Sequence, residues 1–138
     1  MTNKIAALSA AVLLAIPAFA FQGAKADPKA SMARGKEVYE SQCVTCHGPA
    51  GAGIKDVYPP LAKSDYLNAD KARAIHIVLH GQTGKITVNG TEYDSEMMSF
   101  ELTDEQISDV LNYVRNSWGN KGSPIAPAEV AAAREQPK

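Results

Sequence analysis

Apolar residues recur at helical spacing most clearly near the end of the chain. The stripe they form comprises Ile107, Val110, Leu111, Val114 and Trp118. This spacing predicts an amphipathic helix, and Gly119 is a suitable residue to end it. Thr103 and Gln106 stand three residues apart just before the stripe, which is the pattern of a capping box. The helix is therefore expected to begin directly after Thr103.

Two further helices are predicted upstream. The first runs from about residue 31 to 42, and Gly35 shares its apolar face with Met32, Val38 and Tyr39. Because glycine weakens a helix by about 1 kcal/mol relative to alanine, it indicates either close approach of another helix or a weak helix start. The second helix runs from about residue 70 to 80 and ends before Gly81. Residues 27–31 are expected to be mobile.

The remaining segments carry turn and loop signals. Asn89-Gly90 between short β-branched runs predicts a small β-hairpin near residues 85–93. Glycines and prolines over residues 48–62 argue against regular structure there. Residues 121–138 contain three prolines and are expected to form a surface tail with little order, with a short helix near 128–134. The chain is thus predicted to be all-α, with three to five helices and one hairpin.

Residues 1–26 have the pattern of an export signal. Lys4 precedes an apolar stretch over residues 5–16, and small-x-small patterns end at Ala20 and Ala26. Cleavage is expected after Ala26, with Ala20 as the alternative site. A retained anchor is the other interpretation, but the apolar run is shorter than the roughly 20 residues that a spanning helix needs. The predicted organisation is a cleaved signal peptide over 1–26, a domain over 27–120 and a tail over 121–138, located in the periplasm.

The charge of the chain restricts its partners. Cleavage after Ala26 removes Lys4 and Lys25 and no acidic residue, so the formal net charge changes from −1 to −3. Without a basic stripe, nucleic acid is not an expected partner. No second apolar run is long enough to span a bilayer, so no stable membrane insertion is expected after cleavage. A monomer is expected.

The two cysteines of the chain, Cys43 and Cys46, are followed directly by His47. C-x-x-C-H is the spacing of c-type haem attachment, in which each thiol adds to a vinyl group and the imidazole meets the iron. A redox disulfide would be expected in a βαβ context, which the flanking helices do not provide. A zinc site would need a fourth ligand, which His76 or His80 could supply. One covalent haem c with its iron is the favoured prediction.

Met97 and Met98 are candidates for the second axial ligand of that iron. They lie between the hairpin and the last helix, where a loop can cover the other face of the haem. The alternatives are that both methionines fill the core, that His80 is the ligand, or that the position stays open. Methionine and histidine together raise the reduction potential and leave no vacant position on the iron. This ligation favours electron transfer over enzymatic catalysis, and His76 is expected to make no iron contact.

Other residues are candidates for supporting roles. A carbonyl of Pro59-Pro60 can accept the second ring N–H of His47, unless these prolines only stiffen the loop. Lys55 and Lys63 either form a docking rim or are ordinary solvated lysines. Four aromatic side chains could bond the haem propionates: Tyr58, Tyr66, Tyr93 and Trp118.

With these motifs in order, the chain resembles class I monohaem cytochromes c over about residues 31–119. The residues that carry the resemblance are Gly35-x-x-x-Tyr39, Cys43–Gly48, Pro59–Ala62 and Leu102–Asn120. A closer similarity is to the cytochrome c domains attached to, or encoded with, copper nitrite reductases. It lies in residues 60–67, 74–81 and 84–90.

The resemblance implies a cytochrome c fold, with three to five helices wrapped around one covalent haem. It implies Cys43 and Cys46 as thioether anchors, His47 as proximal ligand and Met97 as distal ligand. The family usually has Met-Pro at the distal ligand, whereas here Met98 follows Met97, so Met98 is the alternative. Spacing to Tyr93 and Leu102 favours Met97. Gly35 and Tyr39 are expected to pack on the last helix near Tyr113.

The function that follows is that of a periplasmic one-electron carrier rather than an enzyme. The expected partners are redox proteins, with copper nitrite reductase as electron acceptor or a quinol-oxidising cytochrome complex upstream. The alternative is a small-ligand binder or sensor, for example of nitric oxide, whose methionine ligand is labile. Rapid binding of added ligands would distinguish this alternative from the carrier.

Overall fold

The computed structural model describes residues 27–136 of the 138-residue chain. Six helices and one two-stranded sheet lie in this range. In chain order they are α1 (Pro28–Gln42), α2 (Val44–His47), α3 (Asp65–Ala69), α4 (Lys71–His80), β1 (Ile86–Val88), β2 (Thr91–Tyr93), α5 (Asp104–Val114) and α6 (Pro127–Arg134). The predicted signal segment, residues 1–26, lies outside the described residues. None of the helices within 27–136 is long and apolar enough to cross a membrane.

The all-α class with a small hairpin is confirmed. The helix count exceeds the predicted three to five because α2 and α3 are only four and five residues long and have no periodic pattern. The strands pair antiparallel, with Ile86 opposite Tyr93 and Val88 opposite Thr91. Asn89 and Gly90 both have positive φ, as a two-residue hairpin turn requires.

The central packing contact is the crossing of α1 and α5. At Gly35 the two backbones come so close that a Cβ atom would overlap the Asp109 carbonyl oxygen and lie 2.9 Å from Tyr113 Cβ. The close approach predicted from this glycine is therefore confirmed. Tyr39 packs beside Tyr113, with ring centroids 5.6 Å apart, as the resemblance implied.

A buried polar cluster joins the two helices at one end of the crossing. Asp109 is 3 % exposed and accepts hydrogen bonds from Ser31 Oγ at 2.6 Å and from Arg34 Nε at 2.6 Å. Arg34 Nη2 adds a third at 3.0 Å. The hydrogen bonds from Arg34 to Asp109, together with the negative charge of Asp109, raise the pKa of the Arg34 guanidinium. A buried carboxylate is stable in such a place only because it has this many donors.

The start of α1 differs from the prediction. Residues 27–31 were expected to be mobile, but the helix begins at Pro28. The Asp27 side chain caps it by accepting a hydrogen bond from the Lys29 backbone N–H at 3.0 Å. Aspartate before a helix and proline at its first position are both standard start signals.

The end of α5 also differs from the prediction, although its capping box at Thr103 and Gln106 is confirmed. The helix ends at Val114 rather than near Gly119. Trp118 has a φ of 52° and lies beyond the helix, with its ring centroid 5.0 Å from that of Tyr39. Trp118 is apolar because its ring packs against Tyr39 and Tyr113, and not because the helix continues to this residue.

Residues 121–136 of the C-terminal segment include a helix and two core residues, contrary to the prediction of a surface tail with little order. The predicted short helix is present as α6, and Ile125 and Val130 are 2 % and 0 % exposed. The Asn112 side chain holds the segment by donating to the Ile125 carbonyl at 3.0 Å and accepting from its N–H at 2.8 Å. Because Asn112 also donates to Ser31 Oγ, it links the C-terminal segment to the α1–α5 crossing.

Candidate functional site

The cysteine motif forms the turn that follows α1. The His47 N–H donates to the Cys43 carbonyl at 3.0 Å and the Gly48 N–H to that of Val44 at 2.8 Å, so the motif is a single helical turn. Cys43 and Cys46 are half-buried free thiols. Burial, and in second place the neighbouring Cys46, raise the pKa of the Cys43 thiol to about 11. Both side chains lie at the wall of a cavity.

His47 is held in one orientation by a backbone carbonyl. Its ring is 8 % exposed, and its Nδ1 lies 3.0 Å from the Pro59 carbonyl oxygen. Because a carbonyl oxygen can only accept, Nδ1 carries the hydrogen and Nε2 carries the lone pair. Burial lowers the pKa of His47, while the hydrogen bond to Pro59 partly opposes this effect. The geometry thus provides a neutral imidazole with Nε2 available as a metal ligand.

The loop between α2 and α3 places Pro59 beside His47. The Gly53 N–H donates to the His47 carbonyl at 2.9 Å, and the Ile54 N–H donates to that of Tyr58 at 2.9 Å. Tyr39 fixes the start of the loop, since its hydroxyl donates to the Gly48 carbonyl at 2.5 Å. The predicted bond between His47 and a proline carbonyl is present at Pro59, while Pro60 contributes to the cavity wall.

These groups open onto a cavity of about 530 Å³. Its walls are mostly apolar side chains from α4, the hairpin and α5, which include Ala74, Ile77, Val78, Ile86, Val88, Val110, Leu111 and Val114. The volume is within the range of sites that enclose a cofactor. Two thiols and an imidazole on one wall, with apolar surfaces around them, suit a flat apolar macrocycle that carries a metal.

Both candidate methionines line the same cavity. The backbone of Met97 pairs with Gln82 through two hydrogen bonds of 2.8 and 2.9 Å. Gly81 makes this pairing possible, because its φ is +84° and a Cβ there would lie 2.5 Å from the Met97 carbonyl oxygen. Met97 is half-buried, whereas Met98 is 70 % exposed. The pairing therefore fixes Met97 against the end of α4 and leaves Met98 facing solvent.

The other ligand hypotheses receive no support. Neither His76 nor His80 is among the described residues that line the cavity; their rings lie against each other, with centroids 4.6 Å apart. Over residues 27–136, no group of three or more His, Cys, Asp or Glu side chains is arranged to hold a metal ion. This arrangement contradicts a zinc site built from the cysteine motif and either histidine.

Of the aromatic side chains considered for the propionates, Tyr58, Tyr66 and Tyr93 line the cavity. Trp118 is not among the lining residues of the described chain and packs on Tyr39 instead. Lys55 and Lys63 are both exposed.

Arg73 is a lining residue that the sequence analysis did not single out. Its guanidinium lies 3.7 Å from the centroid of the Tyr66 ring, and its Nη2 donates to the Tyr66 carbonyl at 2.6 Å. Within residues 27–136 it is the one lysine or arginine that lines the cavity. A signal was present, because Arg73 lies four residues before Ile77 and thus on the same helical face.

Comparison with known proteins identifies the family. The family model for cytochrome c matches residues 32–118. Cytochrome c-552 of Thermus thermophilus is 38 % identical over 114 residues, which cover 75 % of this chain and 76 % of the relative. The cytochrome c subunit of a quinone alcohol dehydrogenase of Gluconacetobacter polyoxogenes is 32 % identical, over 72 % of this chain and 21 % of that subunit. The cbb3-type cytochrome c oxidase subunit CcoP of Azospirillum sp. is also 32 % identical, over 70 % of this chain and 32 % of that subunit.

The match covers most of the described residues, including both sides of the cavity. It confirms the predicted cytochrome c fold and the predicted cofactor, while the two enzyme subunits match only through a minor part of their length. The chain belongs to the cytochrome c family, whose members bind covalent haem c with its iron and carry electrons.

Proposed function

We propose that the protein is an exported one-electron carrier whose single haem c is attached through Cys43 and Cys46 and ligated by His47 and Met97. The observation that carries the proposal is the 3.0 Å contact between His47 Nδ1 and the Pro59 carbonyl, which leaves the Nε2 lone pair for a metal. When bound, haem c supplies a one-electron ferric–ferrous couple. The protein holds the group, sets its potential and carries out no substrate chemistry of its own.

Burial and backbone pairing support Met97 rather than Met98 as the distal ligand. The two hydrogen bonds between Met97 and Gln82 hold its backbone in one place, while Met98 is 70 % exposed. A thioether and a neutral imidazole favour the ferrous form and so raise the reduction potential. The apolar walls act in the same direction, because they exclude the water that would stabilise the more highly charged ferric form.

Arg73 and Tyr66 are proposed to receive the carboxylates of the haem. A guanidinium presents two parallel N–H donors to a carboxylate, and stacking on the Tyr66 ring fixes its plane. The hydrogen bond from Arg73 Nη2 to the Tyr66 carbonyl keeps the side chain at the cavity wall.

Arg73→Gln is expected to lower the reduction potential. Ferric haem carries one more positive charge than ferrous haem, so a nearby cation disfavours the ferric form and its removal stabilises that form. The expected decrease is on the order of 30–60 mV, equivalent to up to a tenfold change in the one-electron equilibrium. Redox titration of the purified protein measures it. The control is Lys63→Gln, which removes an exposed charge; equal potentials for the two variants would exclude Arg73 from this role.

Export to the periplasm remains part of the proposal. It is supported by the basic residue, apolar stretch and small-x-small patterns of residues 1–26. The N-terminal residue of the protein purified from a periplasmic fraction tests it, with Asp27 as the expected first residue.

For the partner, we propose a redox enzyme that docks transiently, with copper nitrite reductase as the first electron acceptor to test. The similarity in residues 60–67, 74–81 and 84–90 supports this choice. The names of the relatives, which include cytochrome subunits of dehydrogenases and of an oxidase, support redox enzymes in general. A quinol-oxidising cytochrome complex is the proposed electron donor.

The spectrum of the purified haem protein tests the central proposal. We expect a long-wavelength methionine-to-ferric charge-transfer band that is unchanged when cyanide or nitric oxide is added. Stopped-flow mixing of the reduced protein with copper nitrite reductase then tests the partner separately. Rapid nitric oxide binding with loss of the band would support the sensor alternative and contradict the carrier.

A further inference from the structure

Helix α6 lies outside the residues that match the family model, yet it ends against the loop that carries the two methionines. The contact is made by Arg134, the last residue of the helix. Its Nε donates to Asp104 Oδ1 at 2.8 Å, and its Nη2 donates to the Leu102 carbonyl at 2.9 Å. One planar guanidinium thus joins α6 to both the loop and the start of α5.

Residues 97–102, which we call the methionine segment, contain neither helix nor strand. One end is fixed by the backbone pairing of Met97 with Gln82. The middle is exposed at Met98, Ser99 and Glu101. The other end is fixed at Leu102, whose carbonyl accepts from Arg134 and whose side chain packs against the core. The segment is therefore held mainly at its two ends.

The helix that carries Arg134 is itself firmly anchored. Val130 is fully buried in the core, and Ala133 packs against the same cluster. At the other end of α6, Glu129 pairs with Lys71 of α4 at 2.5 Å. Because α6 packs on the core, the hydrogen bond from Arg134 to the Leu102 carbonyl links the methionine segment to a well-packed helix.

We infer that Arg134 is a positioning residue for the distal methionine. By holding the Leu102 end of the methionine segment, it limits the opening motion in which the Met97 sulfur leaves the iron. The inference rests on the proposed ligation by Met97. It also bears on the choice between carrier and sensor, because a methionine that opens more often exposes the iron to added ligands.

The test is the rate at which imidazole binds to the ferric protein. At saturating imidazole this rate reports how often the methionine leaves. Arg134→Gln is expected to accelerate binding roughly five-fold, as for loss of a partly exposed charged contact. Arg134→Lys keeps the charge but loses the planar fork, and is expected to fall between the wild-type protein and Arg134→Gln.

Two control variants separate positioning from general loosening. Lys36→Gln removes the exposed ion pair with Glu40 on α1 and is expected to leave the rate unchanged. Lys71→Gln removes the other ion pair of α6 without touching the methionine segment, and its effect should be well below that of Arg134→Gln. A wild-type rate in Arg134→Gln, or equal acceleration in Lys71→Gln, would overturn the inference. A wild-type protein without the methionine band would instead refute ligation by Met97, and this inference with it.

Discussion

Gly35→Val is expected to destabilise the protein by about 3 kcal/mol or more, which is among the largest effects of a single substitution. The added side chain has no free volume to enter, because even its Cβ would overlap the Asp109 carbonyl oxygen. The overlapping atom belongs to the backbone of α5, so no side-chain rotation can relieve the contact. The two helices would have to move apart, which also disturbs the hydrogen bonds of Asp109 to Ser31 and Arg34.

Denaturation of the haem-loaded protein by guanidinium measures this loss. Ala33→Val is the matched control, since it introduces the same side chain two residues away on the exposed side of α1. Its cost is limited to helix propensity, about 0.6 kcal/mol. Similar denaturation midpoints for the two variants would show that α1 and α5 can move apart at little cost. That result would contradict the close packing described at Gly35.

Met97→Ala is expected to abolish the methionine-to-ferric band and to lower the reduction potential by on the order of 0.1 V. On the proposed ligation, loss of the thioether removes the ligand that stabilises the ferrous iron and opens one axial position. Cyanide and imidazole should then bind rapidly. Absorption spectra, ligand-binding rates and redox titration of the purified variant test these three effects together.

Met98→Ala is the natural control, because it removes the same side chain at the next position. At 70 % exposure, Met98 has little packing to lose, so the band and the potential should be retained. Loss of the band in Met98→Ala with its retention in Met97→Ala would reverse the assignment of the ligand. Retention of the band in both variants would exclude both residues.

Structural features that depend on a few neighbouring residues could be predicted from the sequence. The capping box of Thr103 and Gln106 depends on a side chain and a backbone N–H three residues apart, and both bonds are present. The hairpin at Asn89-Gly90 depends on two residues that tolerate positive φ. Gly35 was informative for a related reason, since glycine inside a helix indicates close approach of another helix or a weak helix start, and the structure shows the close approach.

The C-terminal segment could not be predicted in the same way. Ile125 and Val130 lie among prolines and alanines, and no periodicity distinguishes their buried positions from exposed ones. Their burial depends on the side chain of Asn112. Nothing in the sequence indicates that this amide binds the backbone of Ile125. Arg73 was missed because a single arginine on a helix is usually solvated, and its stacking on Tyr66 exists only in the folded chain.

The crossing at Asp109 also has a consequence for how fast the chain folds. Ser31 and Asp109 are 78 residues apart in sequence, and Asn112 and Ser31 are 81 apart. Closing so long a loop costs entropy before any contact compensates for it, and non-local contacts of this kind slow folding. The turn of Cys43–His47 directly follows α1, so it gains its rigid support only when the two ends of the domain have met. Chain topology, more than helix propensity, therefore determines when the turn that carries the two cysteines becomes fixed.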